Sequence, residues 1–183
     1  MSAEPPITVA PGLAWCAFAI DRNPLRRSPR TLRRRLNTLS DRHGGARAIT
    51  QSTREIPQAY RARYGIERSP AEELTIKRLI RGQYRSRGVL RDALLLATVD
   101  TEVGVWALDA DRVSGAPHIV DDTVADDAGT LAPLFADPKS VTRATRRLVL
   151  YAVTAPGIPD LAIEEALYAA WDVLSAQGPH RNY

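Results

Sequence analysis

VLRDALLLATVDTEVGVWAL, from Val89 to Leu108, contains the change of pattern that sets the class of the fold. Its first part, Val89 to Val99, is apolar on nearly every side and carries one acid, Asp92, within it. That pattern predicts a helix buried in a core. Val103 to Leu108 (VGVWAL) is short, β-branched and aromatic, and reads as a strand. His118 to Val120 reads as another strand, beyond a turn around Ser114-Gly115. Helices and strands alternate here without βαβ regularity. The expectation is an α+β domain with a central mixed or antiparallel sheet flanked by helices.

Toward the C-terminus, residues 121–138 are acidic and proline-containing, and read as a surface connection with a short strand or turn. Leu148 to Thr154 (LVLYAVT) is continuous and β-rich, as expected of a central strand. Asp160 reads as the cap of a last helix, whose Ile163, Leu167, Ala170, Trp171 and Leu174 form an apolar stripe closed by Gly178. Toward the N-terminus, Ser69-Pro70-Ala71-Glu72 has the form of a capping box. It starts a helix with Leu74, Leu79 and Ile80 that stops at Gly82. Glu55 to Tyr64 makes a short helix with Pro57 near its start, after a polar linker over residues 46–53. Ser28-Pro29 reads as a cap and first helical residue, with Leu32, Leu36 and Leu39 inward and the arginines outward until Gly44-Gly45. Leu13 to Ile20 is a buried strand in which Cys16 acts as a small hydrophobe. Residues 1–10 read as a flexible tail, 11–178 as the domain and 179–183 as a short C-terminal tail.

The 183 residues, 44% of them hydrophobic, are enough for one domain with its own core. No apolar run approaches the roughly 20 residues that cross a bilayer. The N-terminus lacks the basic start and apolar stretch of a secretory signal. A single cysteine fits a reducing compartment. A cytoplasmic protein without a membrane partner is expected. The net charge is +4 and unevenly placed: arginines crowd residues 22–47, and Asp121, Asp122, Asp126 and Asp127 follow later. Clustered arginines suit a phosphate backbone. They equally suit a solvated face in a chain that uses arginine for lysine, since only Lys77 and Lys139 are lysines.

The usual chemical signatures are missing. There is no GxGxxG turn, no phosphate-binding GxxxxGK[ST] loop and no GxSxG elbow. His43, His118 and His180 lie far apart, so no metal is expected, and no cofactor either. Cys16, in an apolar setting, reads as inert packing.

Arg85 to Gly115, together with the stretches at 56–66 (IPQAYRARYGI), 68–82 (RSPAEELTIKRLIRG) and 140–152 (SVTRATRRLVLYA), resembles the editing domain of the phenylalanyl-tRNA synthetase β subunit, and its free-standing relatives above all. The likeness runs over roughly residues 11–176. With the first acid of the family's Val-Asp-x-x-Asn pattern on Asp92, the second family acid falls on Asp109 without a gap. Thr142 and Thr145 match the family's Thr-x-x-Thr strand entry. The resemblance implies a trans-acting protein that binds the acylated end of tRNA and hydrolyses the ester of mischarged or unusual aminoacyl-tRNA. Asp92, Thr142 and Thr145 would then be catalytic, with Leu95, Trp106, Asp109 and Tyr151 lining the substrate pocket. Arg33, Arg34, Arg143, Arg146 and Arg147 would contact nucleic acid.

Three positions depart from the family pattern. Its pocket histidine falls on Trp106, its asparagine on Leu95, and the glutamate that reads a tyrosine hydroxyl on Tyr151. An apolar, aromatic site replaces a polar one. Two further readings follow: a repurposed relative that binds or transforms an amino-acid-like small molecule in specialised metabolism, and a tRNA-binding module without catalysis. The residues also have structural readings. Asp92 suits a buried carboxylate held by partners, Asp109 a turn, Thr142 and Thr145 a strand entry, and Trp106 and Tyr151 core. The amino acid, the tRNA and the oligomeric state carry no signature in the chain.

Overall fold

Strand β7, Arg147–Val153, runs through the middle of the main sheet of the computed structural model, and every residue of it but Arg147 is buried. The structure describes residues 4–42 and 54–176. The linker at 46–53, His43, Gly44-Gly45, Gly178, His180, the C-terminal tail and the Leu79 side chain lie outside the described part.

β7 pairs on one side with β2 (Leu13–Ala19), which pairs in turn with β1 (Thr8–Ala10). On its other side it pairs with β3 (Val105–Asp109). All three pairings are antiparallel. The end of the segment read as a tail therefore supplies the sheet edge. A turn at Pro11-Gly12, with Gly12 at φ 77°, folds β1 back so that Thr8 meets Trp15. Register places Trp15, Tyr151 and Trp106 side by side on one face, and Cys16, Leu150 and Ala107 on the other.

Helices α4 (Val89–Thr101) and α5 (Asp160–Ser175) pack against each other and onto this sheet, with α1 (Arg30–Arg42) and α3 (Pro70–Arg81) against α4. The α5 stripe of Ile163, Leu167, Ala170 and Leu174 is buried as its period requires. Asp160 is its first helical residue rather than its cap, which is the extended Pro159; a carboxylate in the first turn still suits the helix dipole. In α1, Leu32, Leu36 and Leu39 are buried while Arg34 and Arg35 face outward. The capping box of α3 forms in both directions: the Ser69 N–H donates to Glu72 Oε2 at 2.8 Å, and the Glu72 N–H to Ser69 Oγ at 3.4 Å. Ile80 is 81% exposed, so the apolar stripe of α3 stops short of its last turn. Helix α2 (Glu55–Tyr64) ends at Gly65, φ 64°. Its Tyr60 hydroxyl accepts from the Gly104 N–H at 3.0 Å and donates to the Val153 carbonyl at 2.7 Å, tying the α4–β3 connection to the end of β7.

Residues 121–138 hold more structure than a surface connection. β4 (His118–Val120), β5 (Thr123–Asp126) and β6 (Gly129–Pro133) form a second antiparallel sheet, so β4 does not pair with β3. The acids are turn-formers here. Asp121 takes φ 51° in the β4–β5 turn, and Asp126 accepts from the N–H groups of Ser114, Ala128 and Gly129 at 2.8–3.0 Å. Among the described residues, no helix is long and apolar enough to cross a membrane.

Candidate functional site

α3, α4, β3, the chain from Gln83 to Arg87 and the turn after β6 enclose a cavity of about 420 Å³. Its apolar lining includes Ile66, Leu74, Leu94, Leu95, Trp106 and Phe135. Leu94 and Leu95 come from consecutive positions of α4 and remain half-buried because they border this space. Trp106 gets its place from the absence of a side chain at Gly104: a Cβ there would overlap the indole and stand 2.8 Å from Pro70 Cγ. Phe135 sits at φ 63°, a strained position for a bulky residue. Edge-on contacts with Tyr60, Tyr64 and Trp106, at ring-centre distances of 5.9, 5.1 and 6.0 Å, hold it there.

Cations dominate the polar lining: Arg68, Lys77, Arg81, Arg85, Arg87 and Arg91. Three carboxylates accompany them, and each is engaged. Glu73 faces Lys77 at 3.4 Å and Arg68 at 4.0 Å, and Asp137 faces Arg91 at 3.0 Å. Asp92 Oδ2 accepts from the Ser28 and Ser86 hydroxyls at 2.5 and 2.6 Å, and Oδ1 from the Arg87 N–H at 2.8 Å. Among the described residues, no carboxylate lies within ion-pairing distance of Arg81, Arg85 or Arg87. Six lining cations against three carboxylates leave an excess of three positive charges at one concave site.

Neither a protein-family model nor a curated protein nor a solved structure matches the chain. The site therefore rests on its own residues. Of the positions singled out in the sequence, Asp92, Leu95 and Trp106 line the cavity together. Asp92 is 1% exposed, and its bonds tie the segment before α1 to the start of α4. Ser28, read as the α1 cap, serves that tie instead; the first turn of α1 is closed by the Arg33 N–H on the Pro29 carbonyl, at 3.1 Å.

Asp109, Thr142 and Thr145 meet elsewhere and do not line the cavity. The Thr145 hydroxyl donates to Asp109 Oδ2 at 2.6 Å and accepts from the Thr142 N–H at 3.0 Å. The Asp109 N–H donates to Ser140 Oγ at 3.0 Å, and Asp109 Oδ1 accepts from the Asp111 N–H at 3.1 Å. This network fastens the approach to β7 onto the end of β3, and with all its members engaged it reads as a strand-entry clamp. Tyr151 lies one residue from the lining: its ring stacks on Trp106 at 5.7 Å and 21°, and it does not itself border the cavity. Its hydroxyl has no hydrogen-bond partner among the described residues, and burial, with the Asp137 charge adding, holds its pKa well above the ordinary phenol value.

The arginines expected at nucleic acid lie outside the cavity too. Arg146 donates to the carbonyls of Arg143 and Thr145, and Arg147 stands 3.5 Å from Asp111. Arg34 is exposed on α1, and Arg33 is half-buried, its Nε without a partner among the described residues. Sequence reasoning missed Arg81, Arg85, Arg87 and Phe135. The signal for the first three was the RGQYRSRG stretch, Arg81 to Gly88, between two helices. Phe135 gave none, since its place depends on the β6 turn. Among the described residues, no group of three or more His, Cys, Asp or Glu side chains gathers in a way that would hold a metal ion.

Proposed function

We propose that the chain is a recognition module for the acylated, phosphate-bearing end of an aminoacyl-tRNA. One observation carries the reading: Arg81, Arg85 and Arg87, without carboxylate partners among the described residues, border the same cavity as Leu94, Leu95, Trp106 and Phe135. A phosphodiester is held by guanidinium groups through charge-assisted, bidentate hydrogen bonds. An acyl or aromatic group gains by leaving water for the apolar lining. An aminoacylated 3′ end offers both chemistries, and the motif resemblance favours that class.

Binding is proposed ahead of ester hydrolysis. A general base must present an oxygen to the attacking water, and a carboxylate already held by cations or hydrogen-bond donors is less free to do so. The lining carboxylates Glu73, Asp92 and Asp137 already accept from cations, hydroxyls or an N–H, and Thr142 and Thr145 stand outside the lining. The deacylase reading rests on the motif resemblance.

The test is equilibrium binding of an aminoacyl-tRNA and the same tRNA uncharged, followed by a count of released amino acid. The reading expects tighter binding of the charged form and release no faster than in buffer. Equal binding of the two forms would remove the acyl group from the account; release above the buffer rate would restore the hydrolase.

A further inference from the structure

We infer that this cavity selects an apolar or unsubstituted aromatic acyl group over one that carries a polar tip, with Leu95 and Trp106 setting the preference. The inference rests on the cavity's being the seat of the acyl group, as proposed above, and adds which acyl groups it takes.

The wall formed by α4, β3 and the turn after β6 is poor in free hydrogen-bond acceptors. From α4 the cavity receives Leu94, Leu95 and Thr98, from β3 Val105 and Trp106, and from the turn after β6 Phe135. Leucine, valine and phenylalanine offer nothing to a hydroxyl, and an indole N–H donates only. The Thr98 Oγ1 accepts from the Val105 N–H at 3.2 Å, which closes the α4–β3 connection. The acceptor oxygens of Asp92 receive three donors. Glu73 and Asp137, the other carboxylates of the lining, are paired with Arg68, Lys77 and Arg91, so a hydroxyl or amide lodged against α4, β3 and Phe135 would exchange water for a wall with no unengaged carboxylate.

The buried hydroxyl of Tyr151 sharpens the point. It has no partner among the described residues, and the Trp106 indole lies stacked against its ring. A polar atom able to answer a ligand's hydroxyl thus stands beside the cavity but outside its lining, with Trp106 on the lining side. An apolar pocket rejects an added hydroxyl only modestly, so the expected preference is on the order of 10- to 100-fold.

The test uses the full chain and three short single-stranded RNAs ending in CCA: one with a 3′-phenylalanyl amide, one with a 3′-tyrosyl amide, and one unacylated. The amide linkage removes any hydrolysis. The phenylalanyl form is expected to bind about 10- to 100-fold more tightly than the tyrosyl form. Leu95→Asn, which adds a donor and an acceptor at a half-buried position, is expected to bring that ratio close to unity. Equal affinities for both amides in the wild-type chain, or tighter binding of the tyrosyl form, overturn the selectivity and leave the site standing. If neither amide binds better than the unacylated RNA, the site reading has failed along with it. An unchanged ratio in folded Leu95→Asn refutes the part assigned to Leu95. The wild-type ratio decides the claim by itself if that variant does not fold.

Discussion

The Ser28 hydroxyl donates to Asp92 Oδ2 at 2.5 Å, across 64 positions of sequence, and makes this acid of the first turn of α4 the fastening to the chain before α1. The Leu90 N–H on the Pro24 carbonyl at 3.1 Å and the Val89 N–H on the Arg26 carbonyl at 3.0 Å complete the seam. Asp92→Ala leaves the buried Ser28 hydroxyl, and the Ser86 hydroxyl and Arg87 N–H beside it, without their acceptor. A loss of about 2–4 kcal/mol is expected. Chemical denaturation measures it, and a variant as stable as the wild type would return Asp92 to the list of candidates for chemistry.

Much of the scaffold was legible in the sequence, for local reasons. Ser69 and Glu72 make a cap that needs nothing beyond four residues, and Ile163, Leu167, Ala170 and Leu174 repeat at a period only a helix buries. Leu148 to Val153 is flanked on both sides because its run of apolar side chains is best kept from water. The rest depends on partners distant in the chain. Thr8–Ala10 becomes a strand because Leu13–Ala19 offers an edge, and the acids of residues 121–138 hide turns of a small sheet. Leu95 and Trp106, which the motif resemblance singles out, both line the cavity. The resemblance groups Asp109, Thr142 and Thr145 with them, whereas the structure joins these three to one another, apart from the cavity lining.

Gly104 leaves room for Trp106. Gly104→Ala puts a methyl group into the indole and toward Pro70 Cγ, 2.8 Å away, and one of the two must move. Destabilisation of about 1–3 kcal/mol is expected, as for other overpacked cores. Thermal unfolding reads the stability, and affinity for acylated RNA should fall with it as Trp106 shifts.

The Asp126 carboxyl is held below the usual carboxylate range, first by the Ser114 N–H and then by those of Ala128 and Gly129, against the opposing effect of burial. A depressed folded-state value contributes stability that is fully present above the ordinary carboxylate pKa of about 4 and is lost as pH falls through the lower, folded value. Asp126→Asn cannot titrate. Its denaturation midpoint should therefore change less than that of the wild type as pH is lowered from about 5 to about 3. Equal acid sensitivity would contradict this.

Cys16 is fully buried on β2, and burial pushes its thiol up to about 11. Only the thiolate reacts quickly with disulfide reagents. The native chain should give no colour with a thiol-specific aromatic disulfide at neutral pH, and one equivalent once unfolded, since it has one cysteine. Rapid labelling of the folded protein would mean that β2 opens.

The most direct measurement of the central claim is the salt dependence of binding to an acylated CCA-ended RNA, for the wild type and for the triple variant Arg81→Gln, Arg85→Gln, Arg87→Gln. All three side chains are exposed and without ion-pair partners among the described residues, so the fold should survive. Each phosphate contact removed from a single strand lowers the slope of log affinity against log salt by about 0.7. The account predicts at least about tenfold weaker binding and a slope smaller by about 2 in the variant. The same affinity and the same slope in both proteins would contradict it.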